Sequence, residues 1–223
     1  MTPLENRPVV LLGAGGNARV LVSMLRAQGI AIHGCAAPRP PAEELAQAGI
    51  AYLGRDEDLT DLDPEELVLV NGLGSAGPVS LRRAVFETWT ARGFAFRGLR
   101  HDSAIIDPAA ALHPSVTLMA GSIVQAHARL EANVLVNTGA IVEHDCRIGA
   151  HSHVATGARL AGEVTLGPSC HVGAGATIIQ QVAVGAGATI AAGTCVIRDV
   201  ADGATVAGVP ARPLSPRENG AEV

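Results

Sequence analysis

From Ile106 onward the apolar positions of this chain keep a period of six. Stepping by sixes meets Leu112, Leu118, Val124, Leu130, Val136, Val142, Ile148, Val154, Leu160, Leu166, Val172, Ile178, Val184, Ile190 and Val196 without a miss. Four residues after each stands a small or β-branched partner, from Ala110 and Val116 through Cys146, Ser152 and Cys170 to Thr194 and Val200. An α-helix repeats every 3.6 residues and a strand every two, so neither yields this phase. A fixed repeat of this kind marks a solenoid. Three short strands separated by turns make a triangular coil of about eighteen residues, and coils stack at the strand spacing of about 4.7–4.9 Å. The sixteen repeats predict roughly five coils, with aliphatic first positions and small fifth positions inside. The other positions face solvent, a neighbouring subunit or a ligand. Gly149-Ala150, Glu163, Gly173-Ala174-Gly175 and Gly185-Ala186-Gly187 supply turns. Because the phase is unbroken to Val200, no long loop is expected to interrupt the prism.

Ahead of the repeat the pattern alternates between strand and helix. The apolar run Val9, Val10, Leu11, Leu12 enters Gly13-Ala14-Gly15-Gly16-Asn17-Ala18, and a helical segment over residues 19–28 follows, closed by Gly29. Strand, glycine turn and helix N-terminus together make an anion site, because free backbone N–H groups and the helix dipole point at a phosphate. Gly13, Gly15 and Ala18 satisfy the dinucleotide fingerprint, but that reading also needs an acid about twenty residues on. No Asp or Glu lies between Glu5 and Glu43; the second strand, residues 30–35, runs into Ala36-Ala37-Pro38. A mononucleotide or sugar-nucleotide therefore fits better than a dinucleotide, and the remaining alternative is that the glycines only make a tight turn. A short helix at 43–48, a segment at 52–59, a strand at 67–70 ending in Asn71-Gly72-Leu73-Gly74-Ser75, a helix at 78–92 with Leu81, Val85 and Trp89 on one face, and a last strand at 94–96 complete the series. Such alternation implies a small parallel sheet with a ligand crevice at the carboxyl ends of its strands. Those ends carry residues 13–17 and 71–75, the candidate nucleotide site.

Composition marks where one region gives way to the other. All five aromatics, Tyr52, Phe86, Trp89, Phe94 and Phe96, precede residue 97, which puts a boundary at 97–102. The expected organisation is a Rossmann-like α/β domain over residues 1–98, a solenoid over 99–212 and a flexible tail over 213–223. In a chain of 223 residues, 48% hydrophobic, both units have enough apolar surface for a core. The net charge of −5, with no basic run and arginine as the sole cationic side chain type besides histidine, argues against nucleic-acid or membrane-surface partners. The sequence shows neither a signal peptide nor a long apolar segment, so a cytoplasmic location is expected. Its four cysteines form no Cys-x-x-Cys, and Cys146 and Cys170 fall on inward positions as apolar filler, not as disulfide partners.

The chemistry then falls to the solenoid, where His113, His127, His144, His151, His153 and His171 take outward phases. His144 stands apart because Glu143 and Asp145 flank it. A carboxylate on one ring nitrogen fixes the tautomer and raises the basicity of the other, which suits a general base. Near a corner of the coil either acid could reach the ring. His153 and His171, one coil apart in the same phase, stack on one outer face. Zinc is the alternative for such a pair, but the hexapeptide carbonic anhydrases use two histidines five apart plus a third, and no two histidines here are five apart. No metal is expected.

The Gly-Ala-Gly-Gly-Asn-Ala-Arg-Val opening, the 71–75 turn, the block Asn137-Thr138-Gly139-Ala140-Ile141-Val142-Glu143-His144-Asp145-Cys146, the Leu160-Ala161-Gly162 turn and the closing Val206-Ala207-Gly208-Val209-Pro210-Ala211-Arg212 together resemble one group of enzymes. These are the bacterial sugar acyltransferases that include UDP-4-amino-sugar N-acetyltransferases, GDP-perosamine N-acetyltransferases and proteins called sialic acid O-acetyltransferases. The resemblance spans nearly the whole chain. It implies a left-handed parallel β-helix assembled as a homotrimer with active sites between subunits, and acetyl-CoA as co-substrate beside a nucleotide-sugar. By the same resemblance His144 is the catalytic base, Asp145 the acid that raises its basicity, and Asn137 a lining residue of the sugar pocket. His153 is a contact to acetyl-CoA, and the backbone around Ala174 and Ala192 lines the pantetheine groove. Gly15, Gly16 and Asn17 match the nucleotide loop, to which the reading of strand ends adds Gly13 and Gly72. Ala36-Ala37 replaces an acidic pair often found in the group. The implied activity is direct transfer of acetyl to the 4-amino group of a nucleotide-linked 4-amino-4,6-dideoxy sugar. O-acetylation of a sialic-acid-type sugar and a non-catalytic nucleotide-binding module are the alternatives.

Overall fold

The computed structural model describes residues 6–41, 43–59, 62–75 and 79–214. Pro78 and the tail from residue 215, both included in the expectations above, lie outside them. The N-terminal unit is built on a parallel three-stranded sheet in the order β2 (Ile32–Ala36), β1 (Val9–Leu12), β3 (Val68–Asn71). Single bridges, Cys35 to Tyr52 and Leu69 to Phe96, extend it on both sides; the expected strand at 94–96 is only such a bridge. All four residues of β1 and of β3 are buried, as befits a sheet covered on both faces.

Helix α1 (Gly16–Ala27) buries Ala18, Leu21, Val22, Met24 and Leu25, and Gly29 at φ +66° ends it. It starts three residues earlier than the apolar periodicity indicates, so Gly16, Asn17 and Ala18 form its first turn. Helix α2 (Glu43–Gln47) is short, and α3 (Ser80–Ala91) departs from expectation in the face it buries. Trp89 is buried, but Leu81 is 65% exposed, and the other fully buried side chain of α3 is Arg82.

The repeat region is a parallel β-solenoid of about six turns, matching a left-handed β-helix. Sixteen two-residue strands run from Ile105–Ile106 to Cys195–Val196, and each ends on the inward residue of its repeat. Strands eighteen residues apart pair in register, as in Ile141 with Arg159 and Val142 with Leu160. The first face of the prism carries the strands from Ile105–Ile106, the second those from Ala111–Leu112, and the third those from Thr117–Leu118. Fifth positions from Val116 to Thr194 are buried, Cys146 and Cys170 among them, and the four cysteines are free.

Two expectations need correction at the ends. The stack exceeds five coils because Arg100 already bridges to Leu118 and Thr205–Ala207 continues the third face. The phase does slip once. Val200 is not a fifth-position partner: it bridges to Val184, sixteen residues away, and Val206 pairs with Ile190 at the same spacing. Asp199 Oδ1 accepts the Ala183 N–H at 2.8 Å, in place of the carbonyl that Thr165 and Arg147 find in the regular coils, and Asp202 Oδ1 accepts the Ala186 N–H at 2.8 Å. Thr205–Ala207 then turns back to pair antiparallel with Arg212–Pro213.

The three corners differ. Between the third and first faces the left-handed position is glycine in each coil, Gly121, Gly139, Gly157, Gly175 and Gly193. Between the first and second faces the same conformation is held by His127, Asp145, Glu163 and Gln181. The N-terminal unit packs on the third face, where Met119 and Leu135 bury together with Val9, Leu25 and Val68.

Candidate active site

At the carboxyl ends of β1 and β3 two glycine loops interlock. A side chain at Gly13, whose φ is +110°, would meet Leu73 at 2.9 Å, and one at Gly72 would meet the Leu12 carbonyl at 2.9 Å. Asn17 Nδ2 donates to the Gly72 carbonyl at 3.2 Å and ties the loops together. Gly15 and Gly16 are different: a Cβ there would touch nothing closer than 3.8 Å. The chain's own packing does not demand glycine at these two positions; glycine there would let a ligand come close to the backbone. With no side-chain cap and no acid in the first turn, α1 leaves its leading N–H groups and positive dipole end for an anion.

Beside these loops opens a cleft of about 420 Å³ that reaches Ala36, Ala37, Leu81 and Val85. Exposed Leu81 thus borders a cavity rather than the core. Arg55, Asp56 and Glu57 line the far wall. They bring carboxylates to a place where the end of β2 offers only alanines, and a search confined to the end of the second strand misses them.

Below the second loop lies Arg82, 2% exposed, donating to the carbonyls of Leu73 at 2.8 Å, Asn71 at 3.3 Å and Asn133 at 3.2 Å. Burial pulls its pKa down to about 10. Asn71 Nδ2 in turn donates to the Arg82 carbonyl and to Asn133 Oδ1, stitching β3, α3 and the solenoid. Sequence reading passed over Arg82, although its spacing from Phe86 and Trp89 puts it on the buried side of α3.

His153 and His171 do stack on one face, with ring centroids 5.1 Å apart, but that face is covered. They are 3% and 5% exposed, because Ser75 of the second loop sits over both rings. Ser75 Oγ lies 2.7 Å from His153 Nδ1, and Asn137 Nδ2 lies 3.3 Å from His153 Nε2. Burial first, then the proximity of His171 and Arg82, holds the His153 pKa down to about 3, so the ring is neutral. Ala174 and Ala192 are exposed at the glycine corner, where Gly193 N–H donates to the Ala174 carbonyl one coil below.

His144 stands at the other edge, between the first and second faces, with 55% of its side chain exposed. Of its two acidic neighbours Asp145 reaches the ring: Nδ1 and Oδ2 are 2.9 Å apart, while Glu143 accepts the His144 backbone N–H. Asp145 occupies the left-handed corner at φ +59°, which turns its carboxylate back onto the preceding residue. The hydrogen bond to Asp145 raises the His144 pKa, with the charges of Asp145, Glu143 and Glu163 adding to it. Nε2 is left as the free basic nitrogen. The ring lies across Gly162 of the next coil, where an added Cβ would come within 2.6 Å of Nε2 and Cε1. That requirement explains the glycine of the Leu160-Ala161-Gly162 turn.

One chain thus gathers His144, Asp145 and Gly162 at one edge, and Asn137, His153 and Ser75 at another with Ala174 and Ala192 above them. It does not bring the two groups together. Among the described residues no group of three or more His, Cys, Asp or Glu side chains could hold a metal ion, and no helix is long and apolar enough to cross a membrane.

No protein-family profile and no curated protein matches the chain. Solved structures do. A variant of GDP-perosamine N-acetyltransferase from Caulobacter crescentus, in complex with CoA and GDP-perosamine, is 32% identical with a TM-score of 0.85, over 94% of this chain and 97% of that one. The acetyltransferase domain of PglB from Neisseria gonorrhoeae FA1090, in complex with acetyl coenzyme A, is 34% identical with a TM-score of 0.84, over 94% of this chain and 100% of that one. WeeI from Acinetobacter baumannii AYE, at 15% identity and a TM-score of 0.58, shares the fold. Identity at this level across both units shows that the chain belongs to the hexapeptide-repeat sugar acyltransferases.

Proposed function

We propose that this protein is an acetyl-CoA-dependent N-acetyltransferase acting on the 4-amino group of a nucleotide-linked 4-amino-4,6-dideoxy sugar. The observation that carries the reading is the His144–Asp145 pair, a histidine held by a carboxylate at one nitrogen and open at the other. The similarity to an N-acetyltransferase solved with CoA and GDP-perosamine gives it a substrate class. In this reading the N-terminal domain is Rossmann-like, and its cleft at Gly13, Gly15, Gly16, Asn17 and Gly72 takes the nucleotide. Acetyl-CoA lies along the glycine corner past Ala174 and Ala192. His144 and the Asn137–His153 group occupy different edges of one prism, so a homotrimer, with each edge facing its neighbour's, would complete the site between subunits.

The reaction is direct transfer. The amine nitrogen attacks the thioester carbon and gives its proton to His144 Nε2; collapse of the tetrahedral intermediate breaks the C–S bond, and the thiolate takes that proton and leaves as CoA. The products are the N-acetyl sugar and free thiol, with no acyl-enzyme. The test is acetyl-CoA-dependent product formation, followed by mass spectrometry, against UDP-, GDP- and dTDP-linked 4-amino sugars and free or CMP-linked sialic acid, with His144→Ala beside wild type. Acetylation of one amino sugar, lost in the variant, is expected. Acetylation of sialic acid alone would move the function to O-acyl transfer, and nucleotide binding without CoA release would make the protein a binding module.

A further inference from the structure

The hydrogen bonds around His153 admit one arrangement of protons. Thr138 N–H, which can only donate, lies 2.7 Å from Asn137 Oδ1, so that atom is the carboxamide oxygen. Nδ2 therefore faces His153, and an amide nitrogen can only donate to Nε2 at 3.3 Å. Nε2 then carries no proton, and the neutral ring holds its proton on Nδ1, which donates to Ser75 Oγ at 2.7 Å. The serine's own proton is free to go to His171 Nδ1 at 3.3 Å, which makes His171 the Nε2–H tautomer. The two rings are almost wholly buried, so water does not scramble this order. At the other end Asn137 is half-buried beside Gly139 of the open glycine corner, and its second Nδ2–H has no acceptor among the described residues.

We infer that Ser75, His153 and His171 form a one-directional hydrogen-bond chain that fixes the carboxamide of Asn137, leaving one Nδ2–H as a donor for the acyl oxygen of the thioester. The identity of that ligand atom rests on the acyltransferase reading; the chain itself does not. As the amine adds to the carbonyl carbon the C=O bond becomes C–O⁻, and a donor already held in place stabilises that charge without reorganising. Ser75 and His171 are positioning residues, and His153 presents a lone pair to Asn137 rather than a proton to the substrate.

The test begins with no substrate. Ring-nitrogen proton–nitrogen correlation spectra of the ¹⁵N-labelled full chain at pH 7, assigned with His153→Gln and His171→Gln, should show His153 protonated on Nδ1 and His171 on Nε2. Ser75→Ala should mix the tautomers and lower kcat by about tenfold with the KM for acetyl-CoA nearly unchanged, whereas Ser75→Thr should keep both signals and rate. Asn137→Ala should lose about 10²–10³ in kcat, the range for removing one oxyanion donor. An Nε2–H tautomer at His153 would overturn the chain. Mixed tautomers in Ser75→Ala with an unaltered kcat would remove it from catalysis. Correct tautomers in a protein that transfers no acyl group would overturn the acyltransferase reading and the donor role with it.

Discussion

Two histidines nine residues apart, both projecting from the same solenoid, have opposite chemistry because of what lies over them. His144 sits on a bare edge with a carboxylate at 2.9 Å, and its pKa is raised. His153 sits on the face that the N-terminal unit covers, bonded to a hydroxyl and an amide, and its pKa is pushed down to about 3. Repeat phase makes both outward; it says nothing about cover. A base needs the first environment and a fixed neutral hydrogen-bonding partner needs the second, and burial against charge separates them.

The largest effect expected from breaking this contrast is on rate. His144→Ala should cost on the order of 10²–10⁴ in kcat with little loss of stability, since the side chain is exposed and packs on no core. Gly162→Ala tests the geometry with both members of the pair in place. Its methyl group would meet the His144 ring at 2.6 Å, and a ring displaced by about 1 Å should cost roughly 10² in kcat. A wild-type rate in Gly162→Ala would show that the ring position seen here is not the working one. Asp145→Asn should act more gently. As the proposed base His144 works only when deprotonated, so its raised pKa places the acidic limb of the pH–rate profile higher than an ordinary histidine would. Removing the carboxylate should move that limb to lower pH and reduce the plateau; a limb that stays in place would assign it to another group.

The repeat made most of the solenoid legible, because a first-position residue that misses the interior has nowhere else to go in a prism this narrow. The slip at Val200 was not legible: Val200 and Val206 are apolar and satisfy either register, and the shorter coil is held by backbone bonds such as Gly185 N–H to the Val200 carbonyl together with the carboxylates of Asp199 and Asp202. Adjacency alone left Asp145 and Glu143 both within reach of His144; the resemblance singled out Asp145, and the left-handed corner at φ +59° supplies the physical reason. Cover by a second unit was beyond reach of periodicity, so Ser75 over the histidine pair emerged only with the tertiary packing; the helical spacing of Arg82 from Trp89 hinted at its burial, but not at the carbonyls it binds.

At neutral pH the contrast should leave almost no mark on stability, and acid should reveal it. Between about 6.5 and about 3 the unfolded chain protonates His153 while the folded chain does not, so the unfolded state binds more protons and stability falls as pH falls. Each pH unit across that window removes about 1.4 kcal/mol on account of this one ring. His144 acts with the other sign: its pKa is raised on folding, so protonation favours the folded state, weakly because the group is exposed. Denaturant midpoints measured from pH 7 to pH 4 should therefore decline in wild type, decline less in His153→Gln, and decline slightly more in His144→Gln. Parallel curves for wild type and His153→Gln would mean that the ring takes up its proton in the folded protein. The covered face would then be open to water, and the environments of the two histidines would differ far less than their packing implies.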